Sequence, residues 1–478
     1  MSRVVIVSNR VVSPRQAAQA GGVAVAIADT LSKRDGLWFG WSGEVGSDTG
    51  NLPTVEKGDD GISIATVPIS YEEYQGYYLG YANSVLWPVF HNRLDLAHFE
   101  AGYYALYQEV NRRFADSLNR LLQPDDLIWV HDYHFVLLAS ALRSLGVRNR
   151  IGFFLHIPFP PSQSFLAVPE HLELARALAE YDLIGLQTTT DVGNMIDYLE
   201  HGASGRLLPD GRIRVNDRVA EISSFPVGID LEPFLASNEG AIVAGEVRRI
   251  IGVDRLDYTK GLPQKFRGFS RFLQQNERYR NRVTLTQIAT PTRESVEAYA
   301  DIRKELESLS GAINGSYGDL DWIPINYINR TLSRSELATN YGRAQVGLVT
   351  PLRDGMNLVA KEYVASQDPA DPGVLILSRF AGAAEHMTEA LIVNPYNIDE
   401  IAAAIRAALE MPAGERRERH GALLSKLRAG RAEHWSSAFL ERLARRGDNN
   451  NSAPALGHSV DVSRALRRLD TAGMAGVR

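Results

Sequence analysis

Short apolar runs without polar alternation recur along this chain, and helix-like stretches separate them. Arg3 to Ser8 is almost wholly Val and Ile, and Leu127 to His131, Ile151 to His156 and Leu183 to Gln187 read the same way. A strand with apolar residues on both faces is covered on both faces, as in a parallel sheet. Helical stretches near Phe135 to Leu145 and Glu170 to Ala179 supply a βαβ rhythm. The rhythm restarts with runs at Arg249 to Val253, Val283 to Ala289, Val346 to Val349 and Val374 to Ser378. Pro263 suits the first turn of a helix, and Ser333 with Glu336 forms a capping-box pattern. The fold class is therefore α/β, with two doubly wound Rossmann-like domains facing each other across a cleft. The boundary falls within Ser223 to Glu239, which gives an N-terminal domain over 1–230 and a C-terminal domain over 231–446. The Arg-rich helical stretch from Arg416 to Arg446 reads as a solvated face, and GDNNNSAP opens a flexible tail over 447–478.

With 478 residues, 45% of them hydrophobic, the chain can bury a large core in two or three domains. No apolar run is long enough to span a bilayer, and MSRVVIVSNR lacks the small-residue cleavage site of a signal peptide, so a cytoplasmic location is expected. Zero cysteines exclude disulfides, thiolate metal sites and cysteine nucleophiles. A net charge of -6 provides no global field to draw nucleic acid or an anionic membrane. Any anion site must be local.

In open α/β sheets ligands bind beyond the carboxyl ends of the strands, and the polar residues of interest sit there. Arg10 and the pair Gly21-Gly22 lie between the first strand and its helix, where backbone N–H groups could approach a phosphate or simply turn the chain. No GxGxxG, Walker A, GxSxG or HExxH pattern occurs, which removes the usual supports for dinucleotide oxidoreductases, P-loop enzymes, serine hydrolases and zincins. His131-Asp132-Tyr133-His134 and His156 fall at strand ends, better placed to hydrogen-bond a ligand's hydroxyls than to bind a metal, since no third ligand is spaced to join the histidines. Asp319-Leu320-Asp321 reads as a turn. In VDRLDYTKGLP, Arg255 and Lys260 share one loop before a helix amino terminus, a place for a diphosphate; the bland alternative is a surface salt-bridge cluster with Asp254 and Asp257. In TPLRDGMNLVAKE, a strand leads through Asp354, Gly355, Met356 and Asn357 into a helix carrying Glu362. Backbone N–H groups there can hold oxygens and Glu362 can bind ribose hydroxyls. Asp354 could hold a sugar hydroxyl or cap that helix.

These segments, together with GGVAVAI, GLWFGWSGE, LWPVFHNRLD, WVHDYH, GFFLHIPFP, TQIATPTR, SRFAGAA and ALIVNPY, closely resemble the trehalose-6-phosphate synthase family, retaining glycosyltransferases of GT-B architecture. The resemblance covers nearly the whole chain except the tail after about Gly447. It implies transfer of glucose from UDP-glucose to glucose 6-phosphate, with no metal or other cofactor, and a homo-oligomer, commonly a tetramer. It also implies that Arg10, Tyr78, Trp87, Asp132 and Arg293 surround glucose 6-phosphate. Gly21, Gly22, Arg255, Lys260, Leu332 and the run Asp354, Gly355, Met356, Asn357, Leu358, Val359, Ala360, Lys361 and Glu362 would hold UDP-glucose, with His156 meeting the transferred glucose. The groups implied in catalysis are His156, Arg255, Lys260 and Asp354. Three other readings compete: coupling of an unsaturated cyclitol, a sugar-phosphate-binding regulator without turnover, and a dinucleotide oxidoreductase whose fingerprint is missing.

Overall fold

The computed structural model describes residues 2–11, 27–28, 30–31, 36–46, 50, 52–57, 62–235, 247–292 and 297–445. The first sheet holds β1 (Val4–Arg10), β2 (Gly36–Gly46), β3 (Thr54–Lys57), β4 (Ser63–Ser70), β5 (Leu127–His131), β6 (Arg150–Phe154), β7 (Leu183–Leu186), β8 (Arg206–Leu207), β9 (Ile213–Val215) and β10 (Arg218–Ser224). Its order is β3-β4-β2-β1-β5-β6-β7-β10-β9-β8. From β4 to β10 every pairing is parallel, and β3 and the β9–β8 ribbon close the two edges antiparallel. Val4, Val5, Ile6 and Val7 are fully buried, as an unalternated Val/Ile run requires.

The second sheet is parallel throughout, with β11 (Arg248–Arg255), β12 (Val283–Thr290), β13 (Ile325–Ile328), β14 (Val346–Val349), β15 (Val374–Ser378) and β16 (Leu391–Val393) in the order β13-β12-β11-β14-β15-β16. This is the doubly wound order, and it reverses between β11 and β14; the first sheet reverses between β1 and β5. At such a reversal the following loops diverge and leave a crevice at the strands' carboxyl ends. Pro263 sits in the first turn of helix Leu262–Gln275, and the Ser333/Glu336 capping box opens helix Arg334–Gly342. Asp319 and Trp322 pair across a turn. Arg416 and Arg419 on helix Ala413–Ala429 pair with Asp371 and Glu415. Among the described residues no helix is long and apolar enough to cross a membrane. The expected tail at 447–478 lies outside the described residues.

The chain crosses between the sheets twice. It leaves the first sheet after β10 and returns with helix Ala432–Ala444, which lies on β5, β6 and β7 rather than on the second sheet. The last helix thus packs with the first sheet. Phe439 explains the return. Its ring stacks on Trp129 with centroids 4.7 Å apart, and Gly152 of β6 and Gly185 of β7 leave it room, since a Cβ on either would come within 2.7–2.8 Å of the Phe439 ring. Trp435 adds an edge contact to Phe154 at 5.0 Å. One apolar cluster thus runs from Val4, Trp129 and Phe154 through Trp435 and Phe439 to Val349 and Met356, joining the two sheets. Phe439→Ala removes a fully buried ring from a slot built by two glycines, and we expect a loss of about 3–5 kcal/mol; the check is the urea midpoint, and a shift below about 1 kcal/mol would show that the helix is not held by this ring.

Candidate active site

At the reversal point of the second sheet, the loops after β11 and β14 are tied together where the Leu352 N–H donates to the Thr259 carbonyl at 2.8 Å. Lys260 Nζ donates to Asp354 Oδ2 at 2.6 Å, with both side chains largely covered. Burial pushes the Asp354 carboxyl up, but the Lys260 charge and the hydrogen bonds from Lys260 and Asn357 outweigh it and hold the pKa below the ordinary carboxylate range. Asp354 is not the helix cap. Asn357, in the left-handed region at φ 75°, caps helix Leu358–Ala365 by accepting from the Ala360 N–H at 3.0 Å. That division of labour frees Asp354 to face Lys260.

Asp254 and Asp257 have close partners other than Arg255 and Lys260. Asp254 accepts from the fully buried Lys265 at 2.6 Å, and Asp257 accepts from the Thr259 N–H and hydroxyl at 2.9 and 2.8 Å. Arg255 instead crosses to the first half of the chain, its guanidinium carbon 5.2 Å from the centroid of Trp87. A cation over an indole face is held by the ring's quadrupole while its N–H edges stay available.

The first sheet's reversal point supplies the opposite wall. Arg10 ends β1 and lies against Gly43, and Asp132 directly follows the paired strand β5. Asp132 has φ 71°, a conformation that costs about 1–3 kcal/mol outside glycine, and its carboxylate accepts from the His156 N–H at 3.2 Å. The preceding segment Tyr74–Leu86 winds as a π-helix, whose wider turn is frequent at functional sites. It stacks Tyr78 on His134 at 5.9 Å and places Trp87, just beyond it, 5.7 Å from Tyr133. Tyr78, Asp132 and Trp87 are thus brought together through Tyr133 and His134.

His156 faces its neighbour His131, Nε2 to Nδ1 at 2.9 Å. Burial pushes His156 down to about 3 and His131 well below its ordinary range, so both rings are neutral. The two halves meet at this point: a Cβ on Gly355 would lie 2.1 Å from the His156 carbonyl oxygen, and one on Gly382 would lie 1.8 Å from the Gly355 oxygen. His91, which the sequence reading passed over, belongs here too. It bonds the Trp87 carbonyl through Nδ1 at 2.7 Å, and burial lowers it to about 4 beside Asp257, Lys260 and Asp354.

The remaining expected residues are more spread. Tyr341 donates to Glu362 Oε2 at 3.3 Å, and burial raises the Glu362 carboxyl against the opposing pull of Arg334 and Tyr341. Met356 and Ala360 are buried in the apolar cluster, so only their backbones can meet a ligand, and Leu332, Leu358 and Val359 are half-buried against it. Lys361 turns away, donating to the Val227 carbonyl at 2.6 Å. Gly21, Gly22 and Arg293 lie outside the described residues. Among the described residues, no group of three or more His, Asp and Glu could hold a metal ion.

The neutral histidine pair makes stability depend on acid. Both folded pKa values are lowered, so the stability is fully present above the unfolded histidine pKa near 6.5 and is lost as pH falls toward about 3, because the unfolded chain takes up protons that the folded pair refuses. We expect a slope of up to about 1.4 kcal/mol per pH unit for each ring. Urea midpoints at pH 7.5, 6 and 5 check this: His156→Gln should flatten the slope, and an unchanged slope would contradict a buried neutral His156.

The model of glycosyltransferase family 20 matches residues 6–445. A trehalose-6-phosphate synthase from Klebsiella pneumoniae is 45% identical over 453 residues, covering 93% of this chain and 95% of that protein. A crystal structure of an α,α-trehalose-phosphate synthase (UDP-forming) from Burkholderia xenovorans, in complex with glucose-6-phosphate, has a TM-score of 0.88 at 45% identity, over 93% of this chain and 100% of that one. A structure of an E. coli protein bound with UDP-2-fluoro glucose has a TM-score of 0.89 at 43% identity, over 93% and 99%. With the GT-B arrangement of two doubly wound sheets and a family match across almost the whole described chain, this protein belongs to glycosyltransferase family 20.

Proposed function

We propose that the protein transfers glucose from UDP-glucose to the anomeric hydroxyl of glucose 6-phosphate with retention, releasing UDP and forming α,α-trehalose 6-phosphate. The observation that carries this reading is the Lys260–Asp354 pair at one reversal point, standing with Arg255 against the Trp87, Asp132 and His156 wall of the other. The relatives bound with glucose-6-phosphate and with UDP-2-fluoro glucose support both substrates.

In this reading the half built on the first sheet takes the acceptor, with Arg10 and Arg293 on its phosphate and Tyr78, Trp87 and Asp132 around the sugar. The second sheet's half takes the donor, with Glu362 on the ribose, Asp354 on the glucose and the loops after β11 and β14 on the diphosphate. As the bond from the anomeric carbon to the diphosphate oxygen stretches, positive charge grows on the sugar ring and negative charge on the diphosphate. In this reading Arg255 and Lys260 stabilise the departing side, each charge-assisted hydrogen bond contributing about 1.5–3 kcal/mol. They supply the positive charge on the leaving group, so we assign no metal to this step. The acceptor hydroxyl attacks from the face that UDP leaves and its proton passes to the departing phosphate oxygen: one C–O bond breaks, one forms, and configuration is kept. In this reading His156 hydrogen-bonds the transferred glucose and, being neutral, does not act as a general acid.

The reaction is tested by measuring UDP release from UDP-glucose with and without glucose 6-phosphate, in the presence of a chelator, with the disaccharide identified. Acceptor-dependent release yielding trehalose 6-phosphate is expected; release that needs an added divalent metal would remove the proposed role of the two cations, and no release at all would remove the reaction. Lys260→Ala should lower kcat about 10²–10³-fold, the usual effect of deleting one charge-stabilising donor. It should also cost about 1–3 kcal/mol of stability, because Asp354 loses its partner. Adding Asp354→Asn should restore the thermal midpoint without restoring turnover; recovery of both together would show that Lys260 acts only on the fold.

A further inference from the structure

One carboxylate joins the two halves at a place where neither sheet requires it. Glu385 ends the short turn Gly382–Glu385 after β15, and helix Thr189–Gly202 follows β7 in the first half. Glu385 Oε2 accepts from the Thr189 N–H at 3.0 Å and from its hydroxyl at 3.1 Å; Oε1 accepts from the Thr190 N–H at 3.1 Å and from its hydroxyl at 2.7 Å. The helix has its own cap already, since Thr188 accepts from the Asp191 N–H at 3.0 Å. Glu385 therefore takes the first-turn N–H groups that a helix leaves over, where the macrodipole also favours an anion. Alongside, Arg353 lies 3.9 Å from Asp191, again one residue from each half. Next to Glu385 the halves touch: a Cβ on Gly382 would meet the Thr188 methyl at 2.8 Å.

We propose that Glu385 is a positioning residue: bound across the cleft to Thr189 and Thr190, it latches the two halves in the arrangement that transfer requires, and this contact must release for products to leave. The loops carrying Lys260 and Asp354 then reach Trp87 and His156 only while the latch is made. A carboxylate meeting four donors from one helix start makes or breaks its charge-assisted bonds as a set.

The chain has no cysteine, so Leu172→Cys and Leu320→Cys, at positions 40% and 99% exposed on the first and second halves, give a clean pair of sites for distance-reporting dyes. In this background Glu385→Ala should shift the ligand-free distance distribution away from that of the parent, toward the one produced by Gly355→Ala, whose added Cβ pushes the halves apart. Glu385→Gln, with one acceptor oxygen and no charge, should fall between. The thermal midpoints of the Glu385 variants should stay within about 2 °C of the parent. The kinetic arm rests on the reaction proposed above: KM for both substrates should rise about tenfold, with a larger share of UDP released without acceptor. The distance arm needs no turnover, so an inactive parent would sink the reaction while leaving the latch testable. Unchanged distance distributions in both Glu385 variants would overturn the latch, whatever KM does.

Discussion

The two halves of this molecule come together backbone against backbone, where a Cβ on Gly355 would lie 2.1 Å from the His156 carbonyl oxygen. Gly355 meets the His156 carbonyl and Gly382 meets the Gly355 carbonyl at distances that leave no room for a Cβ. Other contacts among the described residues cross the cleft around that approach: Arg255 reaches Trp87, Arg93 reaches Tyr258 with its guanidinium carbon 5.5 Å from the ring, and Arg353 approaches Asp191. A single methyl at Gly355 would move these partners apart together, because the His156 carbonyl oxygen cannot be turned aside by a rotamer change. The two parallel sheets set the directions of approach, and the glycines set how near they come.

The cations at the site are held by partners that can be exchanged. Lys260 rests on Asp354, which Asn357 also engages, and Arg255 rests on an indole face. The buried Lys265–Asp254 pair below them is of another kind: both groups are almost wholly covered, and Gln287 donates to the same carboxylate oxygen at 3.1 Å. Leaving either of those two charges uncompensated in the interior would cost several kcal/mol, so this pair fixes the end of β11. Exchangeable partners above and a fixed pair below make a site whose positive charge can turn to an arriving anion while the loop that carries it stays in place.

Much of the architecture was legible because parallel strands buried on both faces write themselves as unbroken apolar runs. Leu127–His131, Val346–Val349 and Val374–Ser378 stand where those runs stand. β2, in contrast, is GLWFGWSGEVG, where glycines and tryptophans hide a strand whose first six residues are buried. The π-helix over Tyr74–Leu86 has no period that a search for 3.6-residue spacing would find. At the site, the loops with Arg255, Lys260 and Asp354 were visible as strand-loop-helix transitions, but the choice between cap and ligand for Asp354 needed the geometry of Asn357. Glu385, His91 and Arg353 left no local signal, since each draws its meaning from residues far away in sequence: Glu385 from Thr189 and Thr190, His91 from the Asp257 to Lys260 loop, Arg353 from Asp191. The return of the last helix to the first sheet was hidden for the same reason, because the slot for Phe439 is made by two glycines that read separately as ordinary strand residues.

The two walls of the cleft differ in electrostatic character, and the difference follows from how each is built. On the first-sheet wall, His131 and His156 are neutral by burial, and Asp132 is pinned in a strained conformation by its bond to the His156 backbone. The two histidines offer directed hydrogen bonds whose protonation does not change across the physiological range. On the second-sheet wall, the loops after β11 and β14 carry the mobile positive charge. A reaction that separates charge between a sugar ring and a diphosphate uses both, fixed hydrogen-bonding groups to align hydroxyls and positive charge to receive the leaving group. Placing them on separate sheets means that neither wall is complete alone, and the approach of Gly355 to the His156 carbonyl is what holds the two walls to one cleft.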